Sequence, residues 1–222
     1  MSKKENKTKK PWPTKAAMAQ VYSNYLWGNN NTLFYSGEGS HAPELVKPYI
    51  DSVSSFLKSF KIPLVVCDLG CGDFNIGSKL LQNTKKYIGV DIVPDLITYN
   101  NNTFKAEQLQ FICLDIAVDN LPPGDCAILR QVLQHLSNKE IQQILSKLTQ
   151  YNYVVLTEHL PEGHFTPNKD IISGQGIRLK KQSGINLLAS PFNFKFKEET
   201  QLFAVNLNNN KGVIVTTFYK MV

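Results

Sequence analysis

Apolar residues along this chain follow two different periods, and the alternation between them predicts the architecture. Over residues 43–60, Leu45, Tyr49, Val53, Phe56 and Phe60 recur at the spacing of one helix face, with Pro48 tolerated in an early turn. Residues 64–69 form a short, mostly apolar run, as expected of a strand buried on both faces. Comparable runs lie at 87–90, 109–114, 125–129 and 153–157, separated by helical stretches near 75–83, from Pro94, through Leu136, and over 139–148. Strands that alternate with helices predict an α/β fold, a mostly parallel sheet with helices on both faces. Residues 194–205 and 213–218 are instead β-rich with no helix between them. Asn208, Asn209, Asn210, Lys211 and Gly212 join them, and asparagine and glycine accept positive φ, so this end reads as an antiparallel hairpin. The other asparagine triplets, at Asn29 and Asn100, read as loop composition. A short helix is expected over 16–26, then a loop carrying Tyr35-Ser36-Gly37-Glu38-Gly39-Ser40. The chain therefore divides into a disordered lysine-rich tail (1–15), a helical segment with lid potential (16–60) and an α/β domain (61–222).

Composition changes this picture little. With 222 residues, 42% hydrophobic and 19% charged, the chain can bury one ordinary core. The net charge of +6 suggests nucleic acid until it is located. Lys3, Lys4, Lys7, Lys9, Lys10 and Lys15 against Glu5 give +5 in the first fifteen residues, which leaves 6 − 5 = +1 for the remainder. The basicity thus belongs to a solvated tail, with an RNA or anionic-surface tether as the lesser alternative. No apolar h-region follows the lysines, and no run approaches the roughly 20 apolar residues of a membrane span. Cys67, Cys71, Cys113 and Cys126 show no zinc-like spacing and read as reduced thiols, so a cytoplasmic protein without membrane partners is expected.

The chemistry concentrates at Cys67-Asp68-Leu69-Gly70-Cys71-Gly72-Asp73-Phe74, at the carboxyl end of the first strand, where open α/β sheets bind ligands. Two glycines let the backbone bend sharply and approach a ligand. A dinucleotide site would place a third glycine where Asn75 stands, and Asp73 would repel a diphosphate; no P-loop motif is present. Acidic residues suit a cationic nucleoside instead. Asp91 ends the second strand, nineteen positions after Gly72, and could accept both hydroxyls of a ribose; Asp115 ends the third, placed for an adenine amino group beside Ile116. Singly, each aspartate is more often a solvated strand end or helix cap. At three successive strands they form an ordered pattern.

From about Tyr35 onward the chain resembles the class I S-adenosylmethionine-dependent methyltransferases. More narrowly it is similar to a little-characterised subgroup with four segments, here Ser36-Gly37-Glu38-Gly39-Ser40, Cys71-Gly72-Asp73-Phe74, Arg130-Gln131-Val132-Leu133-Gln134-His135-Leu136 and Thr157-Glu158-His159. The resemblance implies a Rossmann-like, seven-stranded sheet, mostly parallel and ending in the antiparallel hairpin. It also implies S-adenosylmethionine as cofactor, held by Asp68, Gly70, Cys71, Gly72, Asp73, Phe74, Asp91, Ile92, Asp115, Ile116 and Arg130.

Other residues are candidates for the acceptor side. His135, His159 and Glu158 could act as general bases, although lone histidines are more often structural. Arg130 could bind a carboxylate or form a surface ion pair. Tyr35, Gly37, Gly39 and Ser40, with Trp12, Trp27 and Phe34, could close as a lid. Asn168, Asp170 and Arg178, in a polar insertion after the fifth strand, could recognise substrate. A metal is not expected: RNA 2′-O-methyltransferases carry a Glu-x-x-Glu-His pattern where this chain has Gln131, Gln134 and His135, and neutral amides are poor ligands for a divalent cation. A small-molecule acceptor, a hydroxyl of a metabolite or sugar, is the leading expectation. An RNA-modifying methyltransferase and a non-catalytic S-adenosylmethionine-binding protein are the alternatives.

Overall fold

Five apolar runs become five parallel strands, and the four inner ones are covered on both faces. In the computed structural model, which describes residues 12–207 and 211–222, these are β1 (Val65–Leu69), β2 (Lys86–Asp91), β3 (Leu109–Cys113), β4 (Cys126–Arg130) and β5 (Tyr153–Leu160). β6 (Glu198–Asn206) and β7 (Val213–Lys220) complete a seven-stranded sheet of order β3-β2-β1-β4-β5-β7-β6. β7 runs antiparallel to both β5 and β6. The lysines before Trp12 and the turn asparagines 208–210 lie outside the described residues. Strand order reverses between β1 and β4, which opens a crevice at their carboxyl ends.

Side chains alternate across each strand, and this sorts the core into two layers. Val66, Ile128 and Val155 face the side covered by α2 (Pro43–Lys58) and α3 (Gly77–Leu80), with Tyr49, Val53 and Leu57 packed on them. Cys67, Leu69, Ala127, Leu129 and Val154 face the opposite layer, formed by α4 (Pro94–Thr103) and α5 (Asn138–Leu148). α1 (Thr14–Ser23) joins this second layer through Met18 and Tyr22, so the N-terminal segment packs into the main core. It also begins inside the stretch expected to be a tail. Ser137 and Glu140 form a capping box at the start of α5.

Several elements differ from expectation. β5 runs on to Leu160, because Glu158, His159 and Leu160 pair with Val215, Ile214 and Val213 of β7. The helical stretch after β4 is only a 3₁₀ turn, Leu133–His135. β6 starts at Glu198, and between β5 and β6 the only helical element among the described residues is a 3₁₀ turn at Arg178–Lys181. Asn100 is no loop residue: it is fully buried in α4. Among the described residues, no helix is long and apolar enough to cross a membrane.

Ile144 is completely buried on α5 between the helix and the sheet. Truncating it should leave a cavity that the close-packed second layer cannot fill. Ile144→Ala is expected to lower unfolding free energy by about 2–5 kcal/mol in urea titrations; a loss under about 1 kcal/mol would show that this layer is loosely packed.

Candidate active site

At the end of β1 the chain must turn back within three residues, and Gly70 (φ 97°) and Gly72 (φ 56°) allow it. Gly70 and Cys71 both donate their N–H to Val90 O, at 2.8 and 2.9 Å, tying the bend to β2. Asp91 accepts from Gly72 N at 3.2 Å and from Val93 N at 3.1 Å, and the buried Asn100 amide donates to Gly72 O at 2.7 Å. A β-carbon at Gly70 would collide with Val132, and one at Gly72 with Ser36. The bend therefore admits glycine alone at both positions.

Above this bend lies a cavity of about 400 Å³. Asp68, Asp91 and Asp115 line it from successive strand tips, together with Ile92 and Ile116. Asp68 accepts from the Tyr87 hydroxyl at 2.8 Å, yet burial pushes its carboxyl up to about 7. Burial likewise raises Asp91 to about 6 against the opposing pull of its N–H donors. Both acids are desolvated without a full counter-charge, and a cation in the cavity would stabilise their ionised forms.

The cavity is roofed by the loop from Ser36 to His41, and the glycine bend itself holds that roof. Asp73 Oδ2 accepts from Ser36 N at 2.9 Å and meets His41 Nε2 at 2.7 Å; Asp73 N donates back to Ser36 Oγ at 2.9 Å. Asn75 donates to Ser40 O at 2.6 Å. From β4, Arg130 donates to Gly39 O at 2.5 Å and Ser40 Oγ at 3.3 Å, while its guanidinium carbon lies 4.7 Å from the Tyr49 ring centroid. A β-carbon at Gly39 would strike the Gln131 side chain.

A family model described as a methyltransferase domain matches residues 67–151. Solved structures agree over a longer span. NodS, an N-methyltransferase of Bradyrhizobium japonicum WM9 in complex with S-adenosyl-L-homocysteine, is 12% identical with a TM-score of 0.64, over 90% of this chain and 98% of that one. Magnesium protoporphyrin IX methyltransferase of Synechocystis PCC 6803, with bound S-adenosylhomocysteine, is 15% identical at 0.59, over 94% and 100%. Human N-acetylserotonin methyltransferase, in complex with S-adenosylmethionine, is 16% identical at 0.55 over 82% of this chain; the match spans only 53% of the human chain. No curated protein matches the chain. Residues 67–151 match the methyltransferase-domain family, and the seven-stranded order is that of the class I methyltransferase fold.

Of the cofactor candidates, Asp68, Gly70, Cys71, Gly72, Asp91, Ile92, Asp115, Ile116 and Arg130 line this cavity. Two do not. Phe74 is fully buried against Tyr87, Phe104 and Phe111, where it packs the bend onto the α2 layer. Asp73 is an anchor of the roof. Arg130 also proves to be a roof anchor, with its terminal donors already on the loop and on Gln131. Gly37, Gly39 and Ser40 reach the cavity; Tyr35 instead stacks on His41, ring centroids 4.5 Å apart.

The acceptor-side candidates fare differently. His135 lines the cavity, its ring 5.1 Å from that of Trp27. His159 lies outside it, its Nε2 at 2.7 Å from Lys211 O, because β7 holds this end of β5 in the sheet. Glu158 is buried behind the cavity wall, and neither carboxyl oxygen has a hydrogen-bond partner among the described residues. The three insertion residues are scaffolding. Arg178 is fully buried and donates to the carbonyls of Leu133, Gln134, Leu136 and Lys169. Asn168 binds the backbone of Asn186, Ala189 and Ser190. Asp170 accepts from Asn138 N and Ile171 N. Sequence reasoning missed the cavity residues Met18, Tyr22, Glu140, Gln175 and Ile177. In the sequence Gln131 and Gln134 stand out only within the segment 130–136 and as poor metal ligands, and Gln131 carries a signal visible only in the backbone, a φ of 57° on a non-glycine residue beside the cavity. Among the described residues, no group of three His, Cys, Asp or Glu side chains could hold a metal ion.

Burial raises the Glu158 carboxyl from 4.5 to about 8, with the Arg178 charge offsetting part of that rise. The folded chain thus holds a proton that the unfolded chain releases near pH 4.5, so stability falls as pH climbs from about 4.5 to about 8. Asp68 and Asp91 act in the same direction. Glu158→Gln should flatten this decline in melting curves recorded between about pH 5 and 8.5; an unchanged slope would mean that Glu158 is ionised in the fold.

Proposed function

We propose that this chain is a methyltransferase that moves a methyl group from S-adenosylmethionine to a small-molecule acceptor. The carrying observation is that three carboxylates at successive strand tips, around one glycine bend, open into one cavity. Bound there, S-adenosylmethionine supplies an electrophilic methyl group on a sulfonium. Asp91 would accept the ribose hydroxyls, Asp115 the adenine amino group, and Ile92, Ile116 and Ala117 offer apolar contact to the base. The bend carries no side chain at Gly70 or Gly72, so the cofactor's chain can lie against backbone. Asp68 and Asp91 fit the charge of the group as well as its shape, since both are desolvated acids facing a cavity where a cation would sit.

The remaining walls favour a small acceptor. α1, the loop from Ser36 and the insertion close over the sheet edge, and about 400 Å³ is near the lower end of ligand pockets. The protein's contribution is then alignment and exclusion of water. Solved structures of the same fold were crystallised with S-adenosylmethionine or S-adenosylhomocysteine, which is consistent with this reading.

Titration calorimetry with S-adenosylhomocysteine tests the proposal. The native chain should bind it, and Asp91→Ala should weaken binding at least about 10-fold, because a buried acceptor pair for the ribose is lost. Equal affinity in the two proteins would contradict this placement of the nucleoside.

A further inference from the structure

We propose that the acceptor presents an amine nitrogen to the β4 flank of the cavity, in place of the hydroxyl expected from sequence. The inference rests on the methyl-transfer reading and names its substrate class. A hydroxyl must lose its proton as it is methylated, which calls for a base within hydrogen-bond reach. Each described candidate in the cavity either has another partner or belongs to the cofactor end, and His159 and Glu158 lie outside the cavity.

His135 is the nearest. His159 N donates to Gln134 Oε1 at 3.1 Å, which turns the Gln134 amide nitrogen toward His135 Nε2 at 3.3 Å. An amide nitrogen can only donate, so Nε2 carries the lone pair and accepts it. The ring proton then sits on Nδ1 and is donated to Gly174 O at 3.2 Å. The imidazole is neutral with both nitrogens engaged, and burial lowers its pKa to about 4. Glu140 also lines the cavity, but its carboxylate accepts from the hydroxyls of Thr14, Ser137 and Ser173 and from Ser137 N. Burial would raise that carboxyl; the four donors outweigh it and hold it below the usual range, so it is a poor base. The Tyr22 phenol, raised by burial, stays protonated and pairs with Ser36. Glu38 accepts from Tyr35. Asp68, Asp91 and Asp115 belong to the cofactor end, while His159 and Glu158 lie outside the cavity.

The charge of the walls points the same way. Beyond the three aspartates of the cofactor end, Glu38 and Glu140 line the cavity, and its one Lys or Arg side chain, Arg130, has its terminal donors on the roof loop and Gln131. Such a lining concentrates cations and repels anionic acceptors. Trp27 adds an aromatic face beside His135, suited to a cationic or polarised nitrogen. An amine drawn in as its ammonium first gives one proton to solvent water, and the neutral form then attacks with its free lone pair, with no base needed during the attack itself. The C–N bond forms as the C–S bond breaks, the electron pair of the broken bond stays on sulfur as S-adenosylhomocysteine, and the methylated ammonium afterwards loses its proton to water. The acidic walls stabilise that ammonium until it leaves.

The test incubates the full chain with S-adenosylmethionine ¹³C-labelled at the methyl, together with a low-molecular-weight metabolite extract, and reads the product methyl by NMR. A methyl resonance attached to nitrogen is expected. An O-methyl product would overturn the proposal while leaving methyl transfer intact. No labelled product from a chain that binds S-adenosylhomocysteine would overturn methyl transfer, and this proposal with it. A second readout needs no acceptor: the ¹⁵N signals of His135, assigned by their loss in His135→Gln, should report a neutral Nδ1–H ring that does not titrate between about pH 5.5 and 8. Titration in that window would free the ring as a base and refute the inference.

Discussion

Everything at the site depends on the mutual grip between the glycine bend after β1 and the loop from Ser36 to His41. Asp73 and Ser36 exchange hydrogen bonds in both directions, and Arg130 and Asn75 hold the loop's far end. Each partner is fixed by its own element: Arg130 ends a buried strand and leans on Tyr49 of α2, while Asp73 follows directly from the bend. Such reciprocal, partly buried bonds hold a segment better than contacts to solvent-exposed tips, since a donor left unpaired away from water costs more than the bond gained. The loop is therefore a fitted roof. Hinge motion at Gly37 and Gly39, natural to infer from composition, is opposed by anchors on both sides of those glycines.

This grip also joins segments that lie far apart in the sequence. Ser36-Gly37-Glu38-Gly39-Ser40, Cys71-Gly72-Asp73-Phe74 and Arg130-Gln131 are parts of one hydrogen-bonded unit. Gly72 is small because Ser36 rests on it, and Gly39 is small because Gln131 does. Under the roof, the desolvated Asp68 and Asp91 keep a space where positive charge is favoured. Gln134 and His135 form a neutral wall on the β4 side, and the insertion locks that wall from behind through Arg178 and Gly174.

Much of this was legible in the sequence, for physical reasons. The inner strands of the parallel sheet announce themselves as short apolar runs because both faces are buried, and the bend announces itself because only glycine turns there. The cofactor-side aspartates could be found by counting strand ends. The rest depends on contacts distant in sequence. β5 extends through Glu158 and His159 only because β7, more than fifty residues later, pairs with it, so both side chains leave the expected acceptor side. Arg178 and Asn168 are polar residues in a loop, which reads as recognition chemistry until their partners prove to be carbonyls. Asn100 looked like loop composition, yet a single hydrogen bond to Gly72 O makes it part of the bend. Gln134 looked like a missing metal ligand and proves to be what fixes the proton on His135.

A crystal structure with S-adenosylhomocysteine would address the heart of this account. The ribose hydroxyls should lie within hydrogen-bond distance of the Asp91 carboxylate, with adenine against Ile92 and Ile116 and the loop from Ser36 to His41 unmoved. A nucleoside bound away from Asp91, or a roof loop displaced to admit it, would contradict the account.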